Sequence, residues 1–301
     1  VLAVAVAAPA GAGTLGVYQS DVQGFDTRTY WYDDGREVTV FDTQFTPALA
    51  EAMVSAIRAA TPNPITRVVV THPNPDKFNG LSVFHALGAT SIASAATAAA
   101  MPGVDSYKRA FWIGTGTFTA ATYPRLEPIR QAFRGQHRIT LASGETITLT
   151  ELRNPGVSTT QTVARIDATG DLIVGDLVHG NAHAWLEGGI AEGAPRPDIA
   201  GWIRALAELP ALGGRVVRGG RGDDLPVAEA VAQQTDYLRQ MDDLVTAYVA
   251  GLGARRPELR DPARAPAHHA AIQQQAEALF PGRRLSYLVG YGVYGLANSK
   301  L

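Results

Sequence analysis

Apolar and polar positions along this chain alternate in short runs, then fall into helical spacing, and the two periods trade places from residue 16 onward. Gly16 to Ser20, Thr27 to Tyr32 and Val38 to Asp42 read as strands, with the turn Asp33-Asp34-Gly35 between the second and third. Pro47 opens a helix that places Leu49, Met53 and Ile57 on one face. Arg67 to Thr71 is a buried-strand run, and it delivers a loop that begins at His72. Thr90 to Ala93 is a short strand leading into an Ala-rich helix, expected to stop near Pro102-Gly103. Residues 104 to 136 mix Tyr107, Phe111, Trp112, Phe118 and Tyr123 with polar and Gly positions, which suits a lid, a substrate-facing insert or a packed loop. Strands resume at Arg138 to Leu141, Glu145 to Leu152, Thr162 to Asp167 and Asp171 to Val174, followed by a helix from Asp198 to Leu209 and a strand from Arg215 to Arg218. The last quarter is helical. Pro226 suits a first helical position, and Val231, Leu238, Met241, Val245 and Tyr248 share a face that Gly251 ends. A further helix spans about Ala267 to Phe280, before a tail in which Tyr287, Tyr291 and Tyr294 interleave with Gly290, Gly292 and Gly295. That tail suits a cap on a site, a homodimer contact or an outer helical layer. Periodicity alone gives an α/β class.

Composition adds bounds rather than detail. A chain of 301 residues accommodates one large domain or two small ones. A formal charge of −2 and the absence of a basic run give no electrostatic attraction to nucleic acid or to an anionic membrane. With no cysteine, disulfides and thiolate zinc sites are excluded. Residues 1 to 13, Val-Leu-Ala-Val-Ala-Val-Ala-Ala-Pro-Ala-Gly-Ala-Gly, read as the end of a signal-peptide apolar region running into a small-residue cleavage zone, or else as a first strand. The first reading implies an exported protein, periplasmic or secreted; the second leaves a cytoplasmic one open. No apolar run is long enough to span a bilayer.

Chemistry concentrates after the Arg67 to Thr71 strand, in His72-Pro73-Asn74-Pro75-Asp76-Lys77-Phe78-Asn79-Gly80-Leu81. This stretch resembles the His-x-His-x-Asp-His loop of the metallo-β-lactamase-fold hydrolases, with Asn74 and Lys77 in place of two histidines. The resemblance extends over about residues 14 to 225. Asp176, within Leu172 to Val178, matches the Asp that bridges the two metal ions, and Asp42 matches the Asp that braces the first loop. The loop 154 to 159 has no His where the family has one. Gly219-Gly220-Arg221-Gly222 matches the final Pro-Gly-His-Gly, which puts Arg221 at the last ligand position. The resemblance implies a four-layer αββα sandwich over residues 14 to 225, with residues 226 to 301 as a helical extension packed on the same domain.

Charge accounting shapes what the site can do. Asp76 and Asp176 would converge where the family holds two dications, and buried carboxylates need positive partners. Lys77 and Arg221 supply two positive charges, so a salt-bridge network is expected in place of the second metal. Protonated Lys and Arg repel zinc. The remnant metal candidates are His72, Asp76 and Asp176. No cofactor is expected, or at most one weakly bound zinc, manganese or iron ion. Three functions are open. In the first, the pocket hydrolyses a small ester, lactone or amide, with His72 as base, Lys77 and Arg221 stabilising an oxyanion, and Ser158 or water as nucleophile. In the second, an inactive site binds a small anion through Lys77 and Arg221. In the third, one metal sits on His72, Asp76, Asp176 and His183. Asn74, Ser158 and His183 are the candidate substrate contacts, against a structural role for His183 beside Trp185. His85, His137, His179, His268 and His269 carry no motif.

Overall fold

A computed structural model describes residues 3–6 and 13–301. Among the described residues the strands form two large sheets and a small hairpin. The first sheet runs in chain order: β1 (Ala3–Val6), β2 (Thr14–Gln19), β3 (Arg28–Asp33), β4 (Val38–Phe41), β5 (Ile65–Val69), β6 (Thr90–Ser94) and β7 (Gln131–Phe133). It is antiparallel as far as β4 and parallel from β4 to β7. Of the stretch read as a leader, Ala3–Val6 pairs with β2, and residues 1–2 and 7–12 lie outside the described residues.

The second sheet contains β8 (Gln136–Thr140), β9 (Thr146–Glu151), β10 (Thr162–Ile166) and β11 (Asp171–Gly180). After the hairpin β12 (Gly189–Ala191) and β13 (Ala194–Arg196), it is completed by β14 (Val216–Gly222) and β15 (Leu225–Pro226), in the order β15-β14-β11-β10-β9-β8. Strand β11 is longer than the expected Asp171 to Val174. It lies between β10 and β14 with all ten residues buried, so Asp176 projects from a central strand rather than from a loop.

The two sheets bury their facing sides against each other, with Leu15, Tyr30, Tyr32, Phe41 and Val69 meeting Ile147, Leu149, Ile166 and Ile173. Helices α1 (Pro47–Ala60), α2 (Pro75–Phe78), α3 (Leu81–Ala86) and α4 (Ala95–Gly114) lie on the first sheet's side, where Met53, Ile57, Phe84 and Met101 fill the core. Helices α5 (Ile199–Leu206), α6 (Val227–Gly251), α7 (Ala265–Leu279) and α8 (Tyr287–Asn298) cover the second. The result is the αββα sandwich expected from the resemblance, with α6 to α8 in its outer layer.

Two expectations need correction. Helix α4 runs through Pro102-Gly103 to Gly114, absorbing the first part of the 104 to 136 stretch. An internal proline costs about 3 kcal/mol, but Met101, Val104, Lys108 and Trp112 fall on one buried face, and their packing offsets it. Pro226 is the cap residue, and α6 begins at Val227.

Candidate functional site

The charge network forms beyond the end of β5, between the middle of β11 and the end of β14. Lys77, on the short helix α2, is fully buried, and its Nζ lies 2.8 Å from both Asp76 Oδ2 and Asp176 Oδ1. Arg221, from β14, donates through Nη1 to Asp176 Oδ2 at 2.6 Å and through Nη2 to Asp76 Oδ2 at 3.1 Å. Each cation therefore touches both carboxylates, and two positive charges balance two negative ones. Two further guanidinium donors are used: Nε donates to Phe25 O at 2.7 Å, and Nη2 also donates to Thr27 Oγ1 at 2.9 Å. Thr27 in turn donates to Asp76 Oδ2 at 3.1 Å.

Backbone geometry makes this convergence feasible. Gly220 packs so closely under Asp176 that a Cβ there would stand 2.0 Å from Asp176 Oδ1. Gly175 adopts φ +51 and lies against Thr71 and His72, where a side chain would collide with both. Asp42 has φ +67, an unusual conformation for a non-glycine residue. From there it accepts the Thr71 backbone N–H and hydroxyl, each at 2.9 Å, and so braces the loop that starts at His72.

Burial and charge set the protonation states. Burial pushes the Asp176 carboxyl up, but the Arg221 guanidinium and the Lys77 ammonium overcome this and hold it well below the usual carboxylate range. The same opposition, with Lys77 as the main partner, lowers Asp76. Asp176 and Asp76 raise Lys77 and Arg221 in return, against the effect of burial. All four groups are charged at neutral pH. Burial depresses His72 to about 4, so its imidazole is neutral. Its Nδ1 lies 3.0 Å from Thr71 Oγ1, and its Nε2 faces Asp176 Oδ2 at 3.8 Å without a hydrogen bond.

A cavity of about 30 Å³ lies over the network, bounded by Asp76, Asp176 and Arg221 below and by Lys108, Trp112 and Trp185 above. That is room for about one water molecule. Asn74 lines it; His72 and Lys77 lie beneath its surface. Two other expected contacts are elsewhere. His183 is buried against Tyr237 and Phe280, with Nδ1 3.3 Å from the Tyr237 hydroxyl, because the chain leaving β11 turns under α6. Ser158 is buried, makes no side-chain hydrogen bond among the described residues and does not line the cavity.

Sequence reasoning missed the roof. Phe25, Phe45, Trp112 and Trp185 pack edge to face or tilted, with Phe25 at 5.0 Å from Phe45 and 5.6 Å from Trp112. Tyr291 of α8 stacks on Trp185 at 6.3 Å, which sets the Tyr-Gly tail against the outer side of this roof. Lys108 is buried beside this cluster, paired with Glu187, which also accepts from Trp185 Nε1 and the Tyr294 hydroxyl. One signal was available: Lys occurs only at 77, 108 and 300 among 26 basic residues, and two of the three are buried at this site.

A site for two metal ions needs clustered His, Asp or Glu donors with open coordination positions. Among the described residues no group of three or more His, Cys, Asp or Glu side chains is placed to hold a metal ion. The two carboxylates that remain are occupied by Lys77 and Arg221. The residues present do not fit the family's metal pair.

The fold and the remains of this motif define a metallo-β-lactamase-type protein. The sequence model of the metallo-β-lactamase superfamily matches residues 22–220, and the chain belongs to that superfamily. Among solved structures, the metallo-β-lactamase from Hirschia baltica is 17% identical with a TM-score of 0.56, covering 78% of this chain and 97% of its own. The metallo-β-lactamase from Pontibacter korlensis is 14% identical with a TM-score of 0.57, covering 79% and 99%. FIM-1 from Pseudomonas aeruginosa, in its mono-zinc form, is 16% identical with a TM-score of 0.56, covering 78% and 96%. These similarities establish the fold. No functionally described protein matches the chain by sequence. No helix among the described residues is long and apolar enough to cross a membrane.

Proposed function

We propose that this chain is a metal-independent member of the superfamily, in which Lys77 and Arg221 have taken the place of the metal ions and the pocket serves small-molecule binding rather than metal-dependent hydrolysis. The observation that carries this reading is the closed network itself, in which each of two buried cations contacts both buried carboxylates at 2.6 to 3.1 Å. A dication approaching Asp76 and Asp176 would meet two fixed positive charges, and its gain from the carboxylates is already taken.

The hydrolytic reading has less support. An oxyanion hole needs donors directed at an empty position, whereas Lys77 and Arg221 direct theirs at Asp76 and Asp176. His72 is neutral, but it lies under the cavity instead of on its wall. Ser158 has no base beside it among its hydrogen-bond partners. Because Asp76 and Asp176 already neutralise Lys77 and Arg221, the two cations are poor candidates for an anion-binding pair. A ligand would enter by displacing the aromatic roof and would meet mainly aromatic surface, with Asn74 and Lys108 as polar contacts.

Elemental analysis tests the proposal, on protein grown in metal-replete medium and purified without a metal-affinity tag. Zinc, iron and manganese below about 0.1 equivalent per chain are expected. One equivalent or more, lost on Asp176→Ala, would overturn it and restore a metallohydrolase.

A further inference from the structure

Helix α8 separates two spaces. On its inner side it packs against Trp185, which lines the small cavity over the charge network and on which Tyr291 stacks. On its outer side, together with α7 and the β12–β13 hairpin, it bounds an open groove of about 1240 Å³. The groove floor is aromatic. Phe111 and Tyr294 lie parallel at 5.8 Å and 8°, Tyr107 shares a hydroxyl contact with Tyr294 at 3.0 Å, and Tyr291 is 50% exposed. A large, half-open aromatic surface of this kind is uncommon on a protein without a ligand for it.

The charge around the groove has one sign. Its ionisable lining groups beyond the tyrosines are Arg196, Arg260 and His269; burial lowers His269 below the usual imidazole range, so the two arginines carry the charge. No Asp or Glu lines the groove among the described residues, in a chain whose net charge is −2. The acidic residues nearest Arg260 in sequence are engaged elsewhere: Glu258 by Arg264 and His268, and Asp261 by Arg264. Arg196 has only Glu192 at 3.5 Å, itself 85% exposed, and such a pair contributes little. His269 adds a buried Nε2 without a hydrogen-bond partner among the described residues.

We infer that this groove binds a small anionic amphiphile, with an aromatic or acyl body on the Phe111 and Tyr294 floor and an acidic head among Arg196, Arg260 and His269. The volume exceeds the 300–1,000 Å³ usual for drug-sized ligands, which suits an extended body. The inference extends the binding reading but needs nothing from Lys77 or Arg221, so metal found at the network would leave it standing.

The test uses the full chain and two probes, 8-anilinonaphthalene-1-sulfonate and dodecanoate. The naphthalene probe should gain fluorescence on saturable binding at about one site per chain, and dodecanoate should displace it. Dodecyltrimethylammonium, with the same tail and the opposite charge, should not. Arg196→Ala with Arg260→Ala should weaken binding by about two- to fivefold per arginine. Ala270→Trp, at an exposed groove position, should block the groove while leaving the thermal midpoint unchanged. Equal displacement by the cationic detergent, or binding unaffected by Ala270→Trp in a folded variant, would overturn the inference. Sedimentation showing a dimer that Ala270→Trp dissociates would do so too, by assigning the groove to a second copy of the chain.

Discussion

Replacing Lys77 by Met tests the central claim about the site, because it removes a charge and keeps most of the volume. In the wild type two cations face two carboxylates in a space that is 0–9% exposed. The Lys77→Met variant would leave Asp76 and Asp176 sharing Arg221 alone, with one buried negative charge uncompensated. Removing one partner of a buried pair typically costs about 3–5 kcal/mol, far more than the 0–1 kcal/mol of an exposed pair. For 301 residues at about 2.1 cal/mol/K each, the unfolding entropy is about 0.6 kcal/mol/K. The expected loss of thermal midpoint is therefore about 5–8 °C, read by calorimetry at pH 7. A companion variant, Lys77→Met with Asp76→Asn, removes one charge of each sign and should recover part of that loss, since neighbouring substitutions in one network are not additive. A loss below about 2 °C for the single variant, or a double variant worse than the sum of its parts, would show that the network is not the electrostatic unit described here.

Three further outcomes follow from the same geometry. Lys77→His with Arg221→His places two imidazoles opposite Asp76 and Asp176, where an interposed ion would span about 4 Å between nitrogen and oxygen donors; this variant should bind about one zinc by calorimetric titration, and no uptake would refute the equivalence of side-chain cation and metal. Gly220→Ala drives a Cβ to 2.0 Å from Asp176 Oδ1 and should cost about 1–3 kcal/mol or more, seen as a lower denaturation midpoint in urea. Acidification should destabilise the fold between about pH 6.5 and 4, because burial depresses His72 and His183 to about 4 and His179 to about 3. In that window the unfolded chain binds protons that the folded imidazoles refuse, so stability falls with pH by about 1.4 kcal/mol per unit for each group. Asp42, raised by burial to about 7, works the other way and offsets one of the three. His179→Leu, at a site where both ring nitrogens lack partners among the described residues, should flatten this acid limb and raise the midpoint at pH 5. A limb unchanged by that variant would refute the assignment.

The sequence made the layers and the charge network legible for different reasons. Strand and helix periods are local, so β3, β4, α1 and α6 could be read within a few residues. The network could be read because both residues at the family's ligand positions bring a positive charge: Lys77 and Arg221 are the partners that buried Asp76 and Asp176 require. The roof could not be read this way. Phe25, Trp112, Trp185 and Tyr291 come from four separate segments, and no local pattern says that they meet. Helix α4 was cut short at Pro102 because the rule about proline is local, whereas the burial of Met101, Val104 and Trp112 that overrides it is tertiary. Of the two readings open for His183, a substrate contact and a structural histidine beside Trp185, the turn after β11 favours the second by carrying it beneath Tyr237.

With Lys77 and Arg221 in place of metal ions, as proposed above, charge balance constrains which side chains the site can hold. Two dications and a bridging hydroxide against two carboxylates leave a net charge of about +1, held by several neutral imidazoles. One Lys and one Arg against the same carboxylates leave zero, which a dry interior tolerates more readily. Removing either carboxylate would strand a buried cation. Arginine suits position 221 because its planar fork reaches two acceptors at once, and it bridges Asp76 and Asp176 from the strand that Gly220 allows to lie flat against them. Lysine suits position 77 because a compact ammonium fits between the same two oxygens with no exposed surface. Exchanging the two types would preserve the charge and lose the fit, so Arg221→Lys and Lys77→Arg should each destabilise the chain in a calorimetric scan even though neither alters its net charge.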